Sequence, residues 1–198
     1  PAPDSRKDWL ADFRADPQTH PLATPSGKLE LYSSTIAGFG YADCPGQASW
    51  LEPCERLGGA GADRYPLHLL TPQPQRRLHS QLDHSAHSQA GKIQGKETLT
   101  MHPDAAAARG IAAGDIVRVF NARGAVLAGV ALNPHMRADV AVLPTGAWYA
   151  PSQERQDANG APVCENGNPN VLTRDVGTSS LAQGPSSSTC LVEIEPLG

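Results

Sequence analysis

IVRVFNARGAVLAGVAL, residues 116–132, decides the fold. Two runs rich in branched apolar residues flank the short polar segment 121–124, whose final glycine gives the backbone the freedom that a tight turn needs. The pattern predicts a β-hairpin formed by strands over Ile116–Phe120 and Ala125–Leu132.

Further short strands are predicted on both sides of this hairpin. The apolar run Leu67–Thr71 is closed by Pro72, and Val140–Leu143 ends at another proline. Cys190–Glu195 alternates imperfectly between apolar and acidic residues, and the alternation in Lys28–Tyr32 is typical of a half-buried strand. About six short strands separated by Gly and Pro turns favour a mainly β barrel or sandwich.

Helices and long loops account for the rest of the predicted structure. One helical stretch, Arg6–Ala15, ends at Asp16-Pro17, and a second covers Ala105–Arg109 before Gly110. Polar loops are expected over 73–92 and over 149–183, where repeated Asn and Gly favour specific turns over disorder.

Length and composition bound the domain organisation. The chain has 198 residues, enough to bury a core without disulfides, so its four scattered cysteines are expected to be free thiols, with a Cys44–Cys54 bridge as the alternative. The glycine cluster Gly58–Gly61 indicates a linker, which predicts an irregular N-terminal extension over 1–64 and a barrel domain over 65–198. Because the chain begins at Pro1 without a methionine, we expect further sequence upstream, and either the periplasm or the cytoplasm is possible.

Net charge and hydropathy argue against nucleic-acid binding and membrane insertion. A net charge of −4 argues against a nucleic-acid surface, and no apolar run approaches the ~20 residues of a membrane helix. Between Gln73 and Lys96, however, four basic residues face a single acid, Asp83. Such a locally cationic stretch suits a small anionic ligand.

The chain lacks the common nucleotide and nucleophile motifs. It contains neither the P-loop, nor the Rossmann glycine fingerprint, nor the Gly-x-Ser-x-Gly elbow of the α/β-hydrolases. His79, His84 and His87 could gather a metal, but the Ser and Gln residues around them favour hydrogen bonding to a polar organic ligand; a solvated loop is the remaining alternative.

Three further groups of polar and aromatic residues suit a heterocyclic ligand. The loop Arg76–Gln81 can aim backbone N–H groups and guanidinium donors at an anion. Asn168, Asn170 and Gln183 carry amides that both donate and accept, although each could instead satisfy a turn. Trp148 could contact a ligand or pack against the neighbouring prolines, and the sequence favours packing.

Spaced motifs along most of the chain resemble the C-terminal portion of the molybdopterin oxidoreductases of the dimethyl sulfoxide reductase family, in particular its trimethylamine N-oxide, dimethyl sulfoxide and biotin sulfoxide reductases. The matching stretches are TPSGKLELYS (24–33), YPLHLLTPQPQRRLHSQLDHS (65–85), HPDAAAARGIAAGDIVRVFNARGAVLAG (102–129), GAWYAP (146–151) and GNPNVLTRDVGTSSLAQG (167–184).

The resemblance implies a fold and a cofactor. The fold would be a six-stranded double-psi β-barrel, and the cofactor would be molybdenum held by two molybdopterin guanine dinucleotides (bis-MGD) in the full-length enzyme. The cofactor-binding residues implied by similarity are Arg77, Leu78, His79, Ser80, Gln81, Trp148, Asn168, Asn170 and Gln183.

The same resemblance implies that the metal ligand lies in another part of the enzyme. In such reductases the serine that binds molybdenum lies far upstream, so this chain is expected to contain no catalytic residue and no metal ligand. By itself it would be inactive and without cofactor. Its partners would be the remaining domains of the same polypeptide, a small S-oxide or N-oxide reduced by oxygen-atom transfer, and an electron donor that the sequence does not identify.

Two alternatives stay open at this point. The chain could be an autonomous small-ligand module with the same barrel. It could also be a domain that docks onto another subunit through residues 1–64, where Trp9, Phe13 and Trp50 offer apolar surface.

Overall fold

The computed structural model describes residues 8–184, 186 and 188–197. These residues form two compact units, one comprising 8–51 and 179–181 and the other comprising the described residues from 52 to 178 and from 182 to 197. We refer to them as the small unit and the barrel unit. The predicted boundary between residues 64 and 65 concerns the domains of a longer protein and stays a prediction.

The small unit is irregular apart from two short helices, α1 (Ala11–Ala15) and α2 (Ser34–Gly38). The predicted helix over Arg6–Ala15 is therefore shorter within the described residues, and its first two positions lie outside them. The predicted strand over Lys28–Tyr32 is wrong, because in this stretch only Tyr32 pairs with another segment, through a bridge to Gln47. An alternating pattern forms a strand only where a partner strand satisfies its backbone.

The barrel unit contains eight strands and two further short helices, with a single turn of 3₁₀ helix over Pro169–Val171. The helices are α3 (Ala86–Gln89) and α4 (Pro103–Ala107). The strands are β1 (Leu67–Leu70), β2 (Thr98–Met101), β3 (Ile116–Phe120), β4 (Ala125–Leu132), β5 (Val140–Val142), β6 (Pro151–Gln156), β7 (Pro162–Cys164) and β8 (Thr189–Pro196).

Six of these strands close into a barrel. Around the ring, β1 pairs with β5 and β8, β8 pairs with β3, and β3 pairs with β4. The parallel pairing of β4 with β2 and the antiparallel pairing of β2 with β5 complete the circle. The hairpin β6–β7 lies outside the ring, with β7 pairing to β4 and β6 at the end of the sheet. The predicted six-stranded, mainly β barrel is confirmed.

Alternation along the strands fills the barrel. In β3 the buried residues are Val117 and Val119, and their neighbours are partly exposed. The long strand β4 is buried along Ala125–Val130, where it pairs with β3, β2 and β7. The interior is apolar, and its fully enclosed side chains include Leu69, Leu99, Met101, Val117, Val119, Val130 and Ile194.

Helix α4 shows how local sequence sets an element's limits. The side chain of His102 accepts a hydrogen bond from Asp104 N at 3.1 Å, and Pro103 occupies the first turn. Gly110, with φ of +68°, follows the last turn. The helix therefore begins two residues before the predicted Ala105 and ends two residues before the predicted Arg109.

Several elements were not predicted. Strand β2, which has four residues, is not among the predicted strands. The expected loop over 149–183 contains strands β6 and β7 and the 3₁₀ turn, and the expected loop over 73–92 contains α3. Strand β6, with the sequence PSQERQ, is polar and exposed, so it carries no hydrophobic signal.

The structure also bears on the cysteines and on membrane-spanning segments. All four cysteines are free thiols, as predicted; Cys164 and Cys190 are buried. Within the described residues, no helix is long and apolar enough to cross a lipid bilayer.

Candidate functional site

Three separate chain segments line a cavity of about 380 Å³ in the barrel unit. They are the loop after β1, the segment after β5, and the segment around the 3₁₀ turn. We call this space the polar cavity. Its lining residues are His79, Ser80, Thr145, Gly146, Ala147, Trp148, Tyr149, Asn168 and Asn170.

Gly146 allows the first two segments to meet. Its φ is +89°, and a Cβ built there would lie 2.1 Å from the carbonyl oxygen of His79. Only glycine allows such an approach in a left-handed backbone conformation. The His79 backbone itself has a positive φ of 50°. The backbones of the two loops are therefore in close contact at the cavity rim.

Trp148 is attached to the loop after β1 at three points. Its backbone N–H donates to Asp83 Oδ2 at 3.0 Å, and its indole Nε1 donates to the Ser80 carbonyl at 2.7 Å. Its ring lies 5.2 Å from the His84 ring, centroid to centroid. The side chain is nevertheless half exposed, as is that of Tyr149. These two rings offer flat surface that a heterocycle could stack on.

Hydrogen bonds within the protein fix which polar groups face outward. Asn168 Oδ1 accepts from Asn170 N at 3.0 Å, so the amide nitrogen of Asn168 is left to donate. Gln73 Nε2 lies 3.0 Å from His79 Nδ1. This contact ties the His79 ring to the Gln73 amide. The Asn168 amide therefore presents a donor, which suits a ligand rich in carbonyl or phosphate oxygens.

A buried cluster of four charged side chains lies beside the polar cavity. Arg77, Asp83, Lys92 and Glu97 have side chains that are between 1 % and 7 % exposed. Arg77 Nη2 is 2.9 Å from Glu97 Oε2, and Lys92 Nζ is 2.9 Å from Asp83 Oδ1. We call these four residues the buried quartet.

The quartet also holds neutral groups of the surrounding loops. Arg77 donates from Nε to the His79 carbonyl at 3.1 Å and from Nη2 to the Thr145 carbonyl at 3.1 Å. Lys92 Nζ donates to Asn166 Oδ1 at 2.8 Å, and Asn166 Nδ2 donates to Asp83 Oδ2 at 3.0 Å. Two of the segments that line the polar cavity are thereby bound to the quartet directly, and the third is bound through Asn166, two residues before Asn168.

The two carboxylates of the quartet differ in proton affinity. Burial of Asp83 works to raise its pKa, but hydrogen bonds from Lys92, the Trp148 N–H and Asn166 outweigh it and hold the pKa below the usual value. For Glu97 the burial dominates and raises the pKa, although Arg77 opposes it.

These ion pairs change the interpretation of the cationic stretch. Arg77 and Lys92 are neutralised by Asp83 and Glu97, and Lys96 pairs with Glu165 at 2.9 Å. Glu97 and Glu165 lie outside the window from which the charge was counted. Three of the four basic residues of this stretch are therefore already paired with carboxylates, and a small anionic ligand for the stretch stays a prediction.

A second cavity, of about 290 Å³, lies near the exposed Arg76. Arg76 Nη1 donates to the His87 carbonyl at 3.4 Å. The lining combines the loop after β1 with polar positions of β2 and neighbouring residues. It consists of Pro72, Gln73, Pro74, Gln75, Arg76, Arg77, Ser88, Gly91, Glu97, Thr98, Thr100, Val142 and Pro144.

A further polar contact network holds the chain just after the 3₁₀ turn. Arg123 forms a two-pronged ion pair with Glu55, at 2.6 and 2.9 Å, and donates from Nε to the Leu172 carbonyl at 2.7 Å. The Asn121 side chain donates to the same carbonyl at 2.8 Å. These contacts hold the segment that carries Asn168 and Asn170 against the barrel.

The structure brings five of the nine predicted site residues together at the polar cavity: His79, Ser80, Trp148, Asn168 and Asn170. Arg77 lies behind the rim in the quartet, and Leu78 and Gln81 are exposed on the same loop. Gln183 is exposed beside Gly177.

Sequence reasoning missed the residues that hold these groups in place. Lys92, Glu97 and Asn166 received no site role, and Asp83 was counted only as a charge. A usable signal was present, since a Lys, an Arg and two acids within 21 residues can neutralise one another. Tyr149 was also missed, although it follows Trp148 in the quoted motif GAWYAP.

The three histidines serve different contacts. His79 bonds to Gln73, His84 packs on Trp148, and the His87 backbone accepts from Arg76. Among the residues that the structure describes, no three His, Cys, Asp or Glu side chains gather as metal ligands would.

Comparison with known protein families agrees with this architecture. The sequence profile of the family described as "Molydopterin dinucleotide binding domain" matches residues 67–191, which include every segment that lines the polar cavity. The chain belongs to this family.

Relatives with assigned activities are much longer than this chain. Biotin sulfoxide reductase of Cereibacter sphaeroides is 50 % identical over 187 residues, which cover 94 % of this chain and 24 % of that protein. Trimethylamine-N-oxide reductase 1 of Escherichia coli K12 is 51 % identical, with coverage of 92 % and 22 %. Dimethyl sulfoxide/trimethylamine N-oxide reductase of Rhodobacter capsulatus is 46 % identical, with coverage of 93 % and 22 %. The chain thus spans about a quarter of the length of these relatives, and the predicted family resemblance is confirmed.

A solved structure supports the fold. Acetylene hydratase from Pelobacter acetylenicus superposes with a TM-score of 0.69 at 21 % identity, covering 92 % of this chain and 25 % of that one. At this level of identity the likeness concerns the fold alone.

Proposed function

We propose that this chain forms one side of the binding site for bis-MGD in a molybdenum reductase that acts on S-oxides or N-oxides. Its partners would be the remaining domains of the same polypeptide, of which residues 1–64 would be the end of a preceding domain and a linker. The observation that carries the proposal is the meeting of three distant segments at one polar cavity, inside the region matched by the family.

The chemistry of the polar cavity supports a pterin or guanine ligand. Its size is at the lower end of the ~300–1,000 Å³ typical of small-molecule sites, so it would take one ring system with its substituents rather than a whole dinucleotide. Asn168, His79 and Ser80 supply donors or hydroxyl groups for the edge of a heterocycle, and Trp148 supplies a flat face. Leu78 and Gln81, exposed on the loop after β1, and Gln183, exposed farther along the chain, would contact parts of the ligand that extend beyond the cavity.

Arg77 would act on the ligand through the protein backbone. Its Nε and Nη2 donors are already bound to Glu97 and to the carbonyls of His79 and Thr145, so it orients the two loops that would touch the ligand. When bound, the molybdenum cofactor would supply the oxygen-atom transfer chemistry. The share of this chain would be to bind the organic part and to keep its rings in one orientation.

The relatives favour this proposal over an autonomous ligand-binding module or a docking domain. Those compared above are reductases, and each contains the matched region within a chain about four times as long.

Analysis of the complete polypeptide tests the proposal. After purification, it should contain molybdenum and should release guanine nucleotide on acid hydrolysis, and it should oxidise a reduced viologen dye when given trimethylamine N-oxide, dimethyl sulfoxide or biotin sulfoxide. The 198-residue chain alone should reduce none of them. An active polypeptide without molybdenum would refute the proposal.

A further inference from the structure

The carboxylate of Asp83 is surrounded by hydrogen-bond donors. Oδ1 forms ion pairs with Lys92 Nζ at 2.9 Å and with Arg77, whose Nε lies 3.5 Å away and donates its hydrogen to the His79 carbonyl instead. Oδ2 accepts from the Trp148 backbone N–H and from Asn166 Nδ2, both at 3.0 Å. The side chain is 4 % exposed, so water cannot readily replace any of these partners.

Such a set of partners requires an ionised carboxylate. Aspartate offers two acceptor oxygens and no donor, whereas asparagine offers one acceptor and an NH₂ group. In either orientation of an asparagine at position 83, its NH₂ would face either the Lys92 ammonium or the N–H groups of Trp148 and Asn166. Either the ion pair with Lys92 or the hydrogen bonds from Trp148 and Asn166 would therefore be lost.

Asp83 connects the charges of the quartet to the rim of the polar cavity. On one oxygen it neutralises buried cations, and on the other it holds the backbone of Trp148 and the side chain of Asn166. Asn166 in turn donates to the Trp148 carbonyl at 3.0 Å. Both backbone polar groups of Trp148 are therefore fixed by Asp83 or by its direct partner.

We propose that Asp83 is a positioning residue that holds the Trp148 rim in its ligand-binding arrangement before the ligand arrives. Asp83 does not line the polar cavity and acts only through Trp148 and Asn166. A rim fixed in advance spares the ligand the entropic cost of ordering it, which raises affinity without any added contact. The effect on ligand binding rests on the function proposed above, whereas the effect on the rim does not.

Hydrogen exchange in the complete polypeptide, followed by mass spectrometry on peptides that cover 145–149, tests the effect on the rim. Asp83→Asn should speed exchange there by ~10-fold or more, since a hydrogen bond to a charged group is lost. Asn166→Ala keeps the ion pairs and should produce a smaller change in the same direction, which preserves the test if the first variant folds poorly. Glu193→Gln is the matched control, because it breaks the ion pair with Arg109, at 2.7 Å, on the barrel wall.

Molybdenum content per polypeptide tests the effect on the ligand. Asp83→Asn should retain at least about tenfold less molybdenum than Glu193→Gln under identical purification. Unchanged exchange at 145–149 in Asp83→Asn and Asn166→Ala, or an equal change in Glu193→Gln, would overturn the proposal. So would fast exchange with molybdenum content equal to that of the parent protein. Absence of molybdenum from an active parent protein would instead refute the proposed function. The hydrogen-exchange result would then still test whether Asp83 orders the Trp148 rim.

Discussion

In the barrel, Leu69, Leu99 and Met101 are fully excluded from solvent, and the strands around them satisfy one another's backbone groups. At the rim of the polar cavity, irregular segments are held by Arg77, Asp83 and their buried partners instead. The hydrophobic effect does not depend on the orientation of the buried groups, so an apolar core can rearrange its side chains. A buried carboxylate, in contrast, needs hydrogen-bond donors or cations at fixed positions around its oxygens. The barrel therefore provides stability, and the quartet fixes the geometry of the rim.

The largest expected effect is on the barrel. Leu69→Ala removes a fully buried side chain and should lower the free energy of unfolding by roughly 2–5 kcal/mol. Leu70→Ala, on the same strand but 37 % exposed, is the matched control and should cost much less. Urea unfolding followed by circular dichroism measures both, and equal losses would contradict the proposed location of the core.

The next effect is at the contact between the two rim loops. Gly146→Ala should cost roughly 2–4 kcal/mol, from a strained backbone and displacement of His79. Gly160→Ala shares the positive φ, at +79°, but its new Cβ meets no atom within 4 Å, so it isolates the backbone strain. Comparable unfolding midpoints for the two variants would show that the close approach to His79 contributes nothing.

A smaller effect should depend on pH. Hydrogen bonding from Ser152, together with Lys96 and Arg155, lowers the pKa of Glu165 from 4.5 to about 2. A lowered folded-state pKa means that these contacts stabilise the fold above about pH 4.5 and lose their effect as the pH falls toward 2. Glu165→Gln should therefore destabilise the protein at neutral pH by ~1 kcal/mol, and the difference from the parent protein should shrink in acid.

Urea midpoints at pH 7 and at about pH 3 measure this difference. Glu195→Gln, which breaks the more exposed pair with Arg118 on the barrel wall, is the control and should cost less at neutral pH. A difference between Glu165→Gln and the parent that stays constant across this range would contradict the pKa shift.

The smallest effect on stability, and the most specific for the proposed site, should come from Asn170. Its side chain is exposed at the polar cavity, so Asn170→Ala should change the free energy of unfolding by less than about 0.5 kcal/mol. In the complete polypeptide, however, the variant should retain less molybdenum, and Gln81→Ala should behave in the same way. Asn159→Ala, in the turn between β6 and β7, is the matched control; full retention in the Asn170 and Gln81 variants would count against the assignment.

The barrel was predictable because its strands carry their own signal. The apolar runs of β1, β3, β4, β5 and β8 are framed by glycine and proline, and a strand's burial shows in its alternation. Strand β6 was not predictable, since its residues face solvent, and neither was the absence of a strand at Lys28–Tyr32, which depends on a missing partner.

The site was predictable only in part, for a related reason. Residues 77–81, Trp148 and the Asn pair were chosen from their chemistry and from a family resemblance, and five of these side chains line one cavity. The buried quartet depends on contacts across as many as 20 positions in sequence and on burial, neither of which a local pattern encodes. Arg77 consequently looked like a ligand for an anion when its charge is already balanced inside the protein.

The closure of the barrel through β2 and β4 also affects how the protein behaves at high concentration. A closed ring gives its strands no open side, so the remaining edge of this sheet is β6. That strand is hydrophilic and exposed, and its pairing with β7 is interrupted by a register shift. Such an edge is a poor template for a strand of another molecule, and the fold is thereby protected against sheet-to-sheet aggregation.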